Sequence, residues 1–114
     1  MPCIICHTHT AIDQQQLQQA ARELSQLTAR MLNKPESYVM VLMKPNADLL
    51  MSGSNDPCAY LEVKSLGMDE SRTADYARSL CEFIEKHFNI PVSRTYIEFS
   101  SPSRHMWGWN NTTF

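Results

Sequence analysis

Apolar and polar positions along the chain alternate in blocks that predict short strands separated by two amphipathic helices. The run PCIICHT (2–8) is short, apolar and followed by a polar loop, which predicts a strand. Behind it Leu17, Ala20, Ala21, Leu24, Leu27, Met31 and Leu32 recur at helical spacing, while Gln14, Gln16, Gln18, Gln19, Glu23 and Arg30 fall mostly on the other side. This pattern predicts a helix over 13–32. Asp13 suits its N-cap, because a carboxylate there accepts from the free amides of the first turn. Asn33 and Pro35 end the helix, and YVMVLMK (38–44) reads as a second, β-branched strand.

A shift of 56 positions superposes the first part of the chain on the second. Asp13, Ala21, Arg22 and Leu24 fall on Asp69, Ala77, Arg78 and Leu80, and Asn33, Pro35 and Ser37 fall on Asn89, Pro91 and Ser93. These identities sit at the cap, the apolar stripe and the helix exit. Segment 58–65 (CAYLEVKS) then corresponds to the first strand, 69–88 to the first helix and 94–100 (RTYIEFS) to the second strand. The chain reads as a single domain over 1–114 with an internal repeat of one β-α-β unit, 2–44 and 58–100. Each unit makes its two strands parallel through a right-handed crossover. The expected fold is α+β, in two layers: a four-stranded mixed sheet with two helices on one face. In segment 38–44 both Val39, Val41, Met43 and Tyr38, Met40, Leu42 are apolar, so both faces of that strand call for cover. No further helix is available, and another copy of the chain is the expected cover, making an obligate homo-oligomer.

Composition narrows the function classes. A length of 114 residues fits one domain, and a hydrophobic fraction of 43% is enough for a core. The formal charge of −2, with a pI near 6.0, carries no basic footprint for nucleic acid. Neither a membrane span nor a basic n-region with an apolar h-region is legible, so the expectation is a soluble, cytoplasmic chain without a cleaved export signal. The four cysteines, Cys3, Cys6, Cys58 and Cys81, are too sparse for a secreted disulfide scaffold and are expected as reduced thiols. Without a secretory route the sequons at Asn110 and Asn111 lose most of their meaning.

The candidate chemistry begins at the N-terminus. Cys3 and Cys6 are three apart on a strand and point to opposite faces, so they cannot clamp a metal together. Cys3, His7 and His9 share a parity, but no fourth ligand follows at motif spacing, and no metal is expected. Pro2 is either an ordinary strand-start proline or, if Met1 is trimmed, a free secondary amine. Burial in an apolar pocket would lower such an amine from ~7.7–8.0 and leave it able to act as a general base near neutrality. Lys34 stands at a helix exit, either as a dipole-favoured cation or as a ligand for a substrate carboxylate. K-S-L-G (64–67) ends a strand in a turn glycine. On 94–100, Thr95, Ile97 and Phe99 share one face and Tyr96 and Glu98 the other. The tail concentrates Trp107, Trp109 and Phe114, as expected of a packed hairpin or an oligomer seam.

Pro2 behind Met1, N-K-P-x-S-Y (33–38), S-G-S-N-D-P-C (52–58), K-S-L-G (64–67), Y-I-E-F (96–99) and G-W-N-N-T-T-F (108–114) occur in that order. Together they resemble the macrophage migration inhibitory factor family of the tautomerase superfamily, over the whole of Met1–Phe114. The resemblance implies homotrimers with active sites between adjacent subunits, and phenylpyruvate-type keto–enol tautomerisation without a cofactor. It implies Pro2 as catalytic acid/base, Lys34 as the cation for the substrate carboxylate with the backbone N–H of Leu66 assisting, and Tyr96 reaching in from a neighbouring subunit. Tyr38, Trp107, Trp109 and Phe114 would form the apolar wall for an aromatic 2-oxo acid or its enol.

Two departures stand out. Glu98 replaces the asparagine of vertebrate members, so it either turns away, pairs with a cation such as Lys64, or weakens binding of an anionic substrate. The vertebrate C-x-x-C is here Cys58-Ala59-Tyr60-Leu61, which removes any expectation of thiol–disulfide activity. The alternative function is a cytokine-like or host-interaction protein, bound by a receptor protein, with a residual tautomerase pocket.

Overall fold

The computed structural model describes residues 1–114. Four strands, β1 (Pro2–Thr8), β2 (Met40–Lys44), β3 (Ala59–Ser65) and β4 (Thr95–Ser100), form one sheet in the order β2-β1-β3-β4. β1 runs parallel to β2 and antiparallel to β3, and β3 runs parallel to β4, so the sheet is mixed as expected. Two helices, α1 (Gln14–Leu32) and α2 (Thr73–Phe88), cover one face, and a hairpin of β5 (Gly108–Trp109) and β6 (Thr112–Thr113) closes the chain.

Local chemistry explains the helix limits. The Asp13 carboxylate accepts from the Gln16 N–H at 2.9 Å, as an N-cap should. Both helices stop at an asparagine in the left-handed region, Asn33 (φ 53°) and Asn89 (φ 55°), a conformation that asparagine tolerates better than most residues. Four boundaries differ from the sequence reading. Segment 36–38 is a 3-10 turn, with Tyr38 N–H donating to the Pro35 carbonyl, so the second strand begins at Met40 and Tyr38 lies outside it. The helix expected from 69 begins at Thr73, because the Asp69 carboxylate instead closes a turn over 70–72 through the Ser71 amide and hydroxyl. The third and fourth strands each start one residue later than the sequence pattern suggested, at Ala59 and Thr95.

The core lies between the sheet and the helices. Ile4, Cys6, Leu61 and Val63 point inward from the two central strands and meet Leu24, Leu80, Phe83 and Ile84. Burying each large aliphatic side chain stabilises the fold by roughly 1.5–3 kcal/mol. Burial pushes the Cys6 thiol up from its ordinary 9.0 to about 12. A thiolate-selective reagent is therefore expected to leave Cys6 unmodified until denaturant is added, as peptide mass mapping will show; rapid native labelling would contradict its placement. Between pH 9 and about 12 the unfolded thiol ionises while the folded one stays protonated, so the contribution of Cys6 to stability falls as pH rises through that window.

The other face of the sheet has no cover within the chain. It carries Cys3, Ile5 and His7 from β1, Met40 and Leu42 from β2, and Tyr60, Glu62, Tyr96 and Glu98 from β3 and β4. No residue of β2 is buried, and Met40 is 60% exposed. No helix is long and apolar enough to cross a membrane.

Candidate functional site

Pro2 opens the central strand β1, where a residue lacking an N–H costs the ladder least. It lies opposite Ser65, the last residue of β3, and its side chain is fully buried. Beside it a cavity of about 360 Å³ opens between the first residues of β1, the 3-10 turn and the C-terminal hairpin. Met1, Pro2, Tyr38, Trp107, Trp109 and Phe114 all line it.

The aromatic wall follows from the hairpin's turn. Asn110 and Asn111 both take positive φ (50° and 68°), as a two-residue loop between twisted antiparallel strands demands, and they set Trp109 against Thr112. The Phe114 N–H returns to the Trp107 carbonyl at 3.2 Å. Trp109 stacks on Phe114 (centroids 5.4 Å apart, 12° between planes) and meets Tyr38 edge-on at 5.9 Å. These three rings form a continuous apolar surface of a kind that accepts another aromatic ring.

Lys34 follows the α1 C-cap, its N–H bonded to the Ala29 carbonyl at 2.9 Å. Its ammonium lies above Gly67, whose φ of +62° suits the turn after β3. A Cβ added there would lie 3.9 Å from Lys34 Nζ. The Met1 amine is held below its ordinary 8.0, first by burial and then by the Lys34 charge. The Lys34 charge therefore reaches the chain's amino end, although neither Lys34 nor Leu66 lines the cavity itself. Leu66, between Ser65 and Gly67, is buried beside this turn.

Tyr96 and Glu98 do not line this cavity. Tyr96 is 65% exposed and borders a separate apolar cleft of about 250 Å³ with Leu49, Leu50, Met51 and Tyr60. Of the fates considered for Glu98, pairing with Lys64 is not what the structure shows. Glu98 accepts instead from the Tyr60 hydroxyl at 3.5 Å, because the register sets Glu98 opposite Glu62 and Lys64 opposite Ser100. Burial, then the Glu98 and Glu62 carboxylates, push the Tyr60 phenol up. His7 stacks on Tyr60, and no group of three or more His, Cys, Asp and Glu side chains is placed to hold a metal ion.

Sequence reasoning missed Ser37, Val39 and Met40 as cavity residues. Their signal was present in the repeat: Pro35 and Ser37 mark the turn that brings this segment over the N-terminus. A larger hollow of about 430 Å³, lined by Gln16, Gln19, Lys86 and His87 among others, contains none of the expected site residues.

The model of the family described as "Macrophage migration inhibitory factor (MIF)" matches residues 1–114. The chain is 36% identical over 91 residues to a macrophage migration inhibitory factor homolog of Trichinella spiralis, covering 79% of this chain and 80% of that one. It is 32% identical over 93 residues to the macrophage migration inhibitory factor of Xenopus tropicalis, covering 81% of each. The crystal structure of a macrophage migration inhibitory factor homologue from Prochlorococcus marinus superposes with a TM-score of 0.93, at 35% identity and over 98% of both chains.

Proposed function

Because this chain belongs to the macrophage migration inhibitory factor family, we propose that it is a phenylpyruvate-type keto–enol tautomerase whose general acid/base is the amine of Pro2 after removal of Met1. The observation that carries this reading is one cavity in which the amino end meets the Tyr38–Trp109–Phe114 wall, with the Lys34 charge outside its lining but near enough to act on the Met1 amine. Met1 lines that cavity, so its removal both exposes the secondary amine and enlarges the space beside it. Burial and the neighbouring cation push an amine at this end of the chain below its ordinary value, toward the neutral form that can take a proton.

The substrate is an aromatic 2-oxo acid or its enol. Its ring lies against Tyr38, Trp107, Trp109 and Phe114, and its carboxylate meets Lys34 and the backbone N–H of Leu66. In the ketonising direction the neutral Pro2 nitrogen takes the proton of the enol oxygen and delivers it to the enol carbon, so it ends neutral again. No atom is gained or lost, so no cofactor is required; positioning and one proton relay supply the rate.

The same reading makes the protein a homotrimer. The unpaired edge of β2 and the exposed Tyr96 lie on opposite edges of the sheet, and a head-to-tail ring of copies brings one to the other. Tyr96 then completes the Pro2 cavity of its neighbour. The Tyr60 hydroxyl, 3.5 Å away, donates to Glu98 on the face that Tyr96 shares. The same reading assigns the activity to the cytoplasm, with non-classical secretion as the alternative.

Loss of the enol absorbance of phenylpyruvate and 4-hydroxyphenylpyruvate, followed with and without protein, tests the proposal. Acceleration over buffer is expected, and none at micromolar protein would overturn it. Lys34→Ala is expected to raise KM by ~10-fold or more with a smaller fall in kcat, since a charge-assisted bond to a carboxylate is worth about 1.5–3 kcal/mol. An unchanged KM would remove Lys34 from the site. A signalling or host-interaction role is the second reading, favoured by the name its relatives carry. Binding to a receptor protein that survives in catalytically dead Pro2→Gly would support it as an independent function.

A further inference from the structure

Arg94, the last residue before β4, is bonded in an unusual way. Its Nε donates to the Pro57 carbonyl at 3.0 Å, Nη1 to Met51 at 3.2 Å, and Nη2 to both Ser54 at 3.2 Å and Asp56 at 3.0 Å. All four acceptors are main-chain carbonyls, and no carboxylate pairs with the guanidinium. The segment it grips is otherwise tied only to itself. Met51 and Ser54 exchange both of their N–H···O=C bonds at 3.0 Å around Ser52 and Gly53, and the Asp56 N–H donates to Ser54 Oγ. The last main-chain bond to the body of the protein before it is Ala47 N–H to Thr8, and the next after it is His9 N–H to Cys58. Between these points Arg94 supplies every hydrogen bond that fastens the segment to the rest of the chain.

This segment matters because of what it presents. Leu49, Leu50 and Met51 build the apolar cleft that Tyr96 borders, and Tyr96 is two residues beyond Arg94 on β4. Leu50 is 74% exposed, so the cleft and Tyr96 together form an uncovered apolar surface at the β4 edge of the sheet. The opposite edge, at β2, carries the exposed Met40 and the rim of the Pro2 cavity. Two different apolar edges on one molecule are complementary to one another rather than to themselves, the condition for a head-to-tail ring. The occupant of the cleft is thus a second copy of this chain.

We propose that Arg94 is a positioning residue that acts on the active site of the neighbouring copy, by fixing the 48–57 segment and Tyr96 as one preformed docking surface. This rests on the reading that Tyr96 completes a neighbour's Pro2 cavity. The planar fork explains why arginine occupies the position: its fixed N–H directions reach four carbonyls at once, whereas a lysine ammonium is a single point with three donors.

The test is rescue between copies. Arg94→Ala alone is expected to lose at least tenfold in kcat/KM for phenylpyruvate, and Pro2→Gly alone to be inactive. Refolded together in equal amounts, they are expected to recover about a quarter of wild-type activity, the share of sites in random rings that join an intact Pro2 to an intact neighbouring surface. Activity of the mixture no higher than the mean of the two separate variants would overturn the inference, because Arg94 would then serve only its own chain. Activity of Pro2→Gly alone at the wild-type level would instead sink the proline reading, and the inference with it. Should Arg94→Ala not fold, Arg94→Lys carries the same mixing experiment, with the same rescue expected and the same failure decisive.

Discussion

Pro2→Gly is expected to lower kcat for phenylpyruvate ketonisation by at least ~100-fold, the low end of what a positioned general acid/base contributes. Glycine is small enough for Met1 to be trimmed as before, so the variant still presents a free amine at the same strand start. What changes is the amine. A primary amine on a residue without a ring loses the fixed direction of the proline nitrogen and is less firmly held beside Ser65 and the Lys34 charge. The strand pairing should persist, because Pro2 contributes no N–H to the ladder and the main apolar cluster begins at Ile4, while the loss of the buried ring costs some stability. Stopped-flow or steady-state enol decay, together with sedimentation of the variant, separates loss of chemistry from loss of assembly. An undiminished rate in an intact oligomer would refute the proline mechanism.

Leu61→Ala is expected to cost ~2–5 kcal/mol of stability, the range for emptying a buried leucine site. Leu61 is fully buried on the central strand β3, flanked by Cys6 on β1 and Ile97 on β4, in the same cluster as Leu24 and Leu80. Two sheet neighbours and two helices fix the walls of the vacated space, so little collapse can offset the cavity. Native domains hold only about 5–15 kcal/mol in reserve, so this single change should consume a large part of it. Urea unfolding at one fixed protein concentration measures it, since the proposed assembly would make stability depend on concentration. A loss under about 1 kcal/mol would mean that the site relaxes and that the sheet–helix interface is not rigidly packed.

The elements most legible in the sequence were those whose cause is local. Asp13 accepts from an amide three residues on, and Asn33 and Asn89 take the left-handed turn at the positions where the repeat placed them. Strand parity likewise anticipated that Cys3 and Cys6 would face opposite sides of the sheet, and Cys6 is the one turned into the core. The tail's aromatic residues suited either a packed hairpin or an oligomer seam, and the hairpin forms because paired asparagines take the turn it needs. What escaped was decided by contacts distant in sequence. The apolar run 38–44 conceals that Ser37 and Tyr38 belong to a turn, which moves Tyr38 out of the strand and onto Trp109. The Tyr60–Glu98 bond depends on the β3–β4 register, and the reach of Arg94 to Met51, Ser54, Asp56 and Pro57 has no periodic or motif signal at all. Of the expected site residues, Pro2, Tyr38, Trp107, Trp109 and Phe114 line one cavity, with Lys34 acting on its amine; Tyr96 and Glu98 stand elsewhere, at a distance a second copy would have to close.

The central claim is that the nitrogen of Pro2, not merely the cavity around it, moves the proton. The measurement that meets it most directly compares two preparations of the same wild-type chain, one with Met1 retained and one with it removed, each verified by intact mass and assayed for phenylpyruvate enol decay. Retention of Met1 turns the Pro2 nitrogen into an amide with no basic lone pair and leaves the Met1 side chain in the cavity. Activity confined to the preparation that begins at Pro2 is the predicted result. Equal activity in the two preparations would contradict it and require a different base.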